Sequence, residues 1–431
     1  MLREPQLQNR PNRILYLVHR VPYPPNRGDR IRSFRLLEFL AARAEVYLAF
    51  LSEGPPLPET MRTLGTICTR VAAAPLGRRA RWLRAAWTLA TGHTATEGLF
   101  HSQTLRRVIR SWTQQIRFDA VVVFCSSMVQ YLNDPGLTDV PAIVDLVDVD
   151  SQKWLDYAGQ SRGMKRLLYR LEGCRLRRLE CALPKLAKAI TLVSRSEADL
   201  YRQFCPADCI HTVANGVDLD HFCPVESPTS ETSQQCVFVG ALDYRANVDG
   251  IRWFAEHVWP EILRRLPHAT FVLVGSNPSA AARQMAELPG VRLAGEVPDV
   301  RPYLADAALA VIPLRVARGI QNKVLEALAM GKAVVATPQA LEGLGVEPDV
   351  HVCQASSPEQ WIEATTRLLG DSELRNQLGQ QGREYVEEHH RWETQLKPFA
   401  SLPGLPAMDE HRPSFLAPER ITGAVSSRDN A

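Results

Sequence analysis

Lys323 and Glu326 lie three residues apart in the stretch RVARGIQNKVLEALAMGKAVVATPQAL (residues 315–341), and at that spacing a cation and a carboxylate share one helix face. Val324, Leu325 and Leu328 recur on the other side, so the charged pair turns away from the core. A loop holding Arg318 and Gly319 precedes the helix, whose first turn leaves N–H groups and a positive dipole end free for an anion. A phosphorylated, hydroxyl-rich ligand fits such a seat. The competing reading is a loop–helix unit with solvated charges, common in α/β proteins and binding nothing. Gly331 ends the helix, and the β-branched run 333–337 reads as a buried parallel strand stopped by Pro338.

A second seat of the same kind lies near the N-terminus. Residues 14–18 form a short apolar strand, Pro22, Pro24 and Pro25 exclude helix after it, and Gly28 permits a tight turn. Asp29 can cap the following helix, whose apolar side carries Ile31, Phe34, Leu36, Leu37 and Leu40, and Arg27 and Arg30 flank the turn. Solvated arginines on a surface loop are again the alternative.

The elements that must hold these seats repeat along the chain. Strand-like runs at 46–51, 71–74, 120–124, 142–147 and 189–193 alternate with helical or loop segments. Each run is apolar throughout, which argues for parallel sheets covered on both faces. Ligands then sit beyond the carboxyl ends of the strands, which nominates Gly28, Ser126, Ser127, Asp145, Asp148 and Asp150 as mouth residues. The Asp group in VDLVDVD invites a metal reading, but alternate Asp residues at a strand exit do not all point one way, and one or two helix caps among them are expected. A polar Ser/Thr/Pro stretch at 225–235 reads as a linker. A second series follows: strand 236–239 with Gly240, a helix over 248–266, strands 269–274 with Gly275, 290–294 with Gly295 and 309–312, and a helix pair over 358–388.

At 431 residues, 45% hydrophobic, 23% charged and a net charge of +3, the composition is that of a soluble protein of two or three domains. The N-terminal stretch has no apolar segment and no run of ~20 apolar residues occurs, so neither a signal peptide nor a spanning helix is expected, and a cytoplasmic location is. Nine Cys without a C-x-x-C pair fit reduced thiols. Cys205, Cys209, His211, His221 and Cys223 match no standard zinc spacing, so no metal is expected.

Two segments are basic. Residues 78–117 hold eight Arg against the single acid Glu97, with Trp82, Leu83, Trp87, Leu89 and Trp112 interleaved; residues 162–180 hold seven Arg or Lys against two Glu. Tryptophans among arginines on helices suit a segment lying on an anionic membrane surface. A solvated face with Trp in the core is the alternative, and no nucleic-acid-binding motif is present.

Two such halves, a linker, and LEALAMGKAVVAT after a Gly loop resemble the GT-B glycosyltransferases, specifically the large retaining glycosyl transferases group 1 type. The likeness spans about residues 13–398 and is most specific at Asn215, Gly216, Val217 and Asp218, at Gly240 and Gly275, and over 323–337. VPYPPNRGDRIRSFRLL, VDLVDVDSQKW and RGIQNKVLEALAMGKAVVAT are similar to sugar transferases associated with exopolysaccharide and exosortase (PEP-CTERM) gene clusters. The resemblance implies an α/β, GT-B fold, two Rossmann-like domains facing across a cleft: an acceptor domain over 13–223, a linker over 224–235, a nucleotide-sugar domain over 236–384, and a helix over 385–400 packing back toward the first domain. Residues 1–12 and 401–431 are expected to be disordered tails.

The resemblance also implies roles. Glu326 holds the ribose hydroxyls of a nucleotide-diphosphate sugar, Lys323 neutralises the diphosphate, and the Gly319 and Ile320 amides contact sugar or diphosphate. Gly240 and Gly275 admit the donor, and Val297 flanks the base. Gly28, with Arg27 and Asp29, faces the donor phosphate or the acceptor. The nucleotide-sugar is a co-substrate, so no cofactor is implied, and the acceptor is lipid-linked or a growing polysaccharide at the inner membrane face. The chain departs from the pattern in three places. Arg318 stands where the first of two glutamates is usual, an Arg/Lys pair after Gly240 is missing, and Ser126 or Ser127 stands in the region of a usual His. Arg318, Lys323 and Arg245 are therefore expected at the diphosphate, with Gln321 and Asn322 reading donor hydroxyls. A catalytically silent GT-B scaffold protein and a nucleotide-sugar epimerase are the alternatives.

Overall fold

The computed structural model describes residues 10–77, 80–225 and 233–407. Two parallel sheets organise the chain. The first has seven strands in the order β3-β2-β1-β4-β5-β6-β7: β1 (Arg13–Val18), β2 (Glu45–Ser52), β3 (Arg70–Pro75), β4 (Ala120–Phe124), β5 (Ala142–Val147), β6 (Ala189–Leu192) and β7 (Ile210–Thr212). The second has six, β10-β9-β8-β11-β12-β13: β8 (Gln235–Val239), β9 (Thr270–Val274), β10 (Val291–Gly295), β11 (Leu309–Ile312), β12 (Ala333–Ala336) and β13 (Cys353–Gln354). Each central strand is buried along its length because helices cover both sheet faces, which is why these strands read as unbroken Val, Ile, Leu and Ala.

In each sheet the strand order reverses once, between β1 and β4 and between β8 and β11. Helices on either side of such a reversal leave opposite faces of the sheet and open a crevice at the strand ends. The helix Gly28–Ala41 begins beyond the first reversal, and the helix Asn322–Ala329 begins beyond the second. The two crevices face each other: a Cβ placed on Gly28 would lie 3.8 Å from Asn322 Nδ2.

The helix expected over 248–266 is two helices, Arg245–His257 and Trp259–Arg265. Pro260 has no N–H for the carbonyl four residues back, and its ring crowds that turn. Beyond Ser372–His389, the helix Trp392–Ala400 buries Trp392, Leu396 and Phe399 in the core of the first domain, with Phe399 edge-on to Phe39. A bridge from Val217 to Arg391 ties that return to the Asn215–Asp218 turn. The expected tail from 401 is structured in its first part. Leu402 is only 5% exposed, and the Ala407 carbonyl accepts a hydrogen bond from Asn12 Nδ2. Residues 1–9, 408–431, 226–232 of the linker, and Arg78 and Arg79 of the first basic segment lie outside the described residues. Among the described residues no helix is long and apolar enough to cross a membrane.

Candidate active site

The C-terminal wall of the cleft is built by close backbone contact. A Cβ on Gly275, where φ is +154°, would fall 1.8 Å from the Gly240 carbonyl oxygen, so the ends of β8 and β9 meet as only glycines allow. Lys323 crosses the top of that contact. A Cβ on Gly240 would lie 3.1 Å from Lys323 Cε, and Lys323 Nζ donates to Asn247 Oδ1 at 3.3 Å and to Gln321 Oε1 at 3.2 Å. Gln321 Nε2 donates back to the Arg318 carbonyl at 2.9 Å, so this side chain braces the loop. Val324, Leu325, Ala327 and Leu328 are buried, which leaves Lys323 and Glu326 on the cleft side. Burial lowers Lys323 to about 8, with Glu326 opposing, and raises Glu326 to about 7, with Lys323 opposing.

The N-terminal wall is a polar network. Arg32 and Asp145 are 1% and 0% exposed and pair bidentately at 2.8 and 2.9 Å. Thr191 donates to the same carboxylate, and Arg32 Nη1 donates to Asn215 Oδ1 at 2.9 Å. Asn215 Nδ2 in turn donates to Asn322 Oδ1 at 2.9 Å, which carries the network across to the Lys323 helix. Asn322 Nδ2 is buried without a partner among the described residues. Beyond β4, Ser126 Oγ donates to Asp150 Oδ2 at 2.5 Å, and Lys153 pairs with the same aspartate. Ser127 Oγ is buried and has no partner among the described residues. Asp29 pairs with His19, Arg20 and Arg27 at 3.5, 3.1 and 3.9 Å; burial works against its ionisation, but these three groups outweigh that and hold its carboxyl low.

Further contacts join the walls. Arg318 Nη2 lies 2.6 Å from Asp156 Oδ2, and its Nη1 lies 3.6 Å from Glu197 Oε1. The Arg245 guanidinium sits over the Tyr157 ring at 4.9 Å. At Gly319, where φ is +61°, a Cβ would lie 2.2 Å from Asp148 Oδ1. Lys153, Asp156 and Tyr157 of one domain and Tyr244, Leu314 and Arg318 of the other line a pocket beside these contacts.

Residues 233–371 match the family described as Glycosyl transferases group 1. Sucrose-phosphate synthase from Thermosynechococcus elongatus is similar in structure, with a TM-score of 0.67 at 16% identity, over 91% of this chain and 98% of that one. WaaG, a glycosyltransferase involved in lipopolysaccharide biosynthesis, gives 0.64 at 16% over 90% and 99%. The fold is GT-B. Anabaena HepE, solved in complex with UDP-glucose, gives 0.64 at 13% over 90% and 98%.

The GT-B cleft gathers residues that the sequence scatters. Gly28, Asn322, Lys323, Gln321, Gly240 and Gly275 line it or support its walls, whereas Arg318 and Arg245 are engaged by the opposite domain. The Ile320 side chain belongs to the C-terminal core, and Val297 packs against the edge of that core. None of Asp145, Asp148 and Asp150 caps the next helix. Val149 is the cap residue, and its N–H and that of Ser151 are taken by Glu197 and Glu180 from the two helices that follow, Arg195–Phe204 and Gly163–Leu186. The five Cys and His residues from 205 to 223 form no metal-holding cluster among the described residues. One residue at the cleft, His19, belongs to no motif in the sequence. It follows β1 directly, is 8% exposed, stacks on Phe124 and reaches Asp29, and its Nδ1 has no partner among the described residues. Its place at a strand's carboxyl end was the available signal.

Proposed function

We propose that this GT-B chain is a retaining glycosyltransferase that moves a sugar from a nucleotide-diphosphate sugar to a lipid-linked or growing exopolysaccharide acceptor. The observation that carries the reading is the Lys323–Glu326 face, set over the Gly240–Gly275 contact and opposite Gly28. Lys323 supplies positive charge to the diphosphate without a metal, Glu326 accepts from the ribose hydroxyls, and the unpartnered Asn322 amide meets the donor between the walls. With the leaving diphosphate as the base for an acceptor attacking the same face, no protein nucleophile is needed. Titration calorimetry with UDP-glucose and GDP-mannose tests the donor assignment. Glu326→Ala should weaken binding about tenfold, since hydrogen bonds to a charged group contribute about 1.5–3 kcal/mol, and leave the melting temperature unchanged. Unaltered affinity sinks it.

The acceptor side of the proposal rests on surface chemistry. Trp112 is a core residue packed on Tyr47, but Trp82, Leu83 and Trp87 on the helix Ala80–Ala90 are 62%, 75% and 71% exposed. Met164, Leu167 and Leu168 are exposed at the start of the helix Gly163–Leu186, among the exposed Arg162, Lys165 and Arg166. Arg175 donates to the carbonyls of Leu89 and His93, which fixes the two helices to each other. Large apolar side chains among cations on one domain suit the headgroup region of an anionic bilayer and bring the acceptor domain to a lipid-linked substrate.

A further inference from the structure

Three aspartates lie in β5 or just beyond it, and two of them have partners. Asp145 is held by Arg32 and Thr191, and Asp150 by Ser126 and Lys153. Asp148 has no hydrogen-bond or ion-pair partner for its carboxylate among the described residues, although its backbone N–H donates to the Leu146 carbonyl at 2.9 Å. The chain is bent to present it. Val147 has φ of +72°, a left-handed conformation that a β-branched residue adopts only at a cost, and the pairing register with β6 shifts between Asp145 and Val147.

What the bend presents Asp148 to is the loop that leads into the Lys323 helix. Its Oδ1 lies 2.2 Å from where a Cβ on residue 319 would be, too close for any side chain, so the glycine is what lets the carboxylate reach the loop. A carboxylate without donors, partly withdrawn from water, is held up toward about 7 by that burial, with Lys153 opposing. Hydroxyl groups would relieve the cost, because a carboxylate only accepts hydrogen bonds. A diphosphate would not, because like charges repel.

We propose that Asp148 is a specificity-determining residue of the donor site, a carboxylate of the N-terminal domain that accepts hydrogen bonds from hydroxyls of the donor's sugar beside the Gly319 loop. The sugar is then read from both domains, the diphosphate from the C-terminal one. This rests on the nucleotide-sugar reading given above.

The test compares wild type with Asp148→Asn and Asp148→Ala by calorimetry, using the pairs UDP-glucose and UDP, and GDP-mannose and GDP. In the variants, affinity for the nucleoside diphosphate should stay within about twofold, while affinity for the matching nucleotide-sugar falls about tenfold or more. The melting temperature of Asp148→Asn should hold or rise, since a costly carboxylate is removed. Equal loss on sugar and diphosphate would overturn the proposal, as would unchanged sugar affinity or a lowered melting temperature in both variants. Wild type that binds neither nucleotide-sugar removes the donor reading itself, and the Asp148 role with it; that failure shows before any variant is made and is distinct from a failure of Asp148 alone.

Discussion

Arg318 of the C-terminal domain grips Asp156 of the N-terminal domain, with Nη2 2.6 Å and Nε 3.1 Å from the same carboxylate oxygen, and Glu197 stands 3.6 Å away on its other side. The guanidinium is therefore a link between the walls of the cleft as well as a cation beside the Gly319 loop. Replacing it by a carboxylate sets three acids against one another.

Arg318→Glu should lower turnover by at least about tenfold, because like charges at this range repel by about 1–4 kcal/mol depending on screening. The double variant Arg318→Glu/Asp156→Arg should recover part of the loss. Small-angle scattering should show a wider domain separation in the single variant. A gain in activity in Arg318→Glu would refute a supporting role for Arg318.

The Arg32–Asp145 pair makes a different prediction, since both groups are buried and neither can be re-solvated in place. Asp145→Ala leaves an uncompensated guanidinium and should cost about 3–5 kcal/mol in urea unfolding. The double variant Arg32→Met/Asp145→Leu should cost less than the two single changes added together. Additive losses would show that the two residues do not act as a pair.

Donor affinity should pass through a maximum between about pH 7 and 8. Glu326 and Asp148, both raised by burial to about 7, must be ionised to accept from hydroxyls, so affinity falls as pH drops through that value. Lys323, lowered by burial to about 8, must be protonated to meet a diphosphate, so affinity falls as pH rises through that value. Titrations with UDP-glucose or GDP-mannose across this range check both limbs. Lys323→Met should remove the alkaline limb and move the acid limb to higher pH, because the cation that opposes the rise of Glu326 is gone; a flat profile in wild type would contradict both assignments.

Membrane docking is tested on the exposed tryptophans. Trp82→Ser/Trp87→Ser should abolish most flotation with vesicles containing phosphatidylglycerol, while the melting temperature moves little because these side chains are mostly exposed. Wild-type flotation should fall as salt rises, since the Debye length shortens from about 10 Å at 0.1 M to about 3 Å at 1 M. Absence of flotation by wild type at low salt would remove the membrane argument.

By itself the sequence determined the parallel α/β halves, because unbroken apolar runs between helical segments are a local signature of strands covered on both faces. It determined as well that Lys323 and Glu326 share a helix face, since three-residue spacing is a property of the helix alone. The break at Pro260 is equally local, since a proline lacks the N–H that a continuing helix needs. Only the tertiary structure decided which carboxylate meets which cation. Arg318 and Asp156 are 162 residues apart, Arg32 and Asp145 are 113 apart, and Asp148 reaches Gly319 from the other domain. Those meetings depend on strand order, on where each sheet reverses and on how two sheets face across one cleft, and no spacing along the chain encodes them.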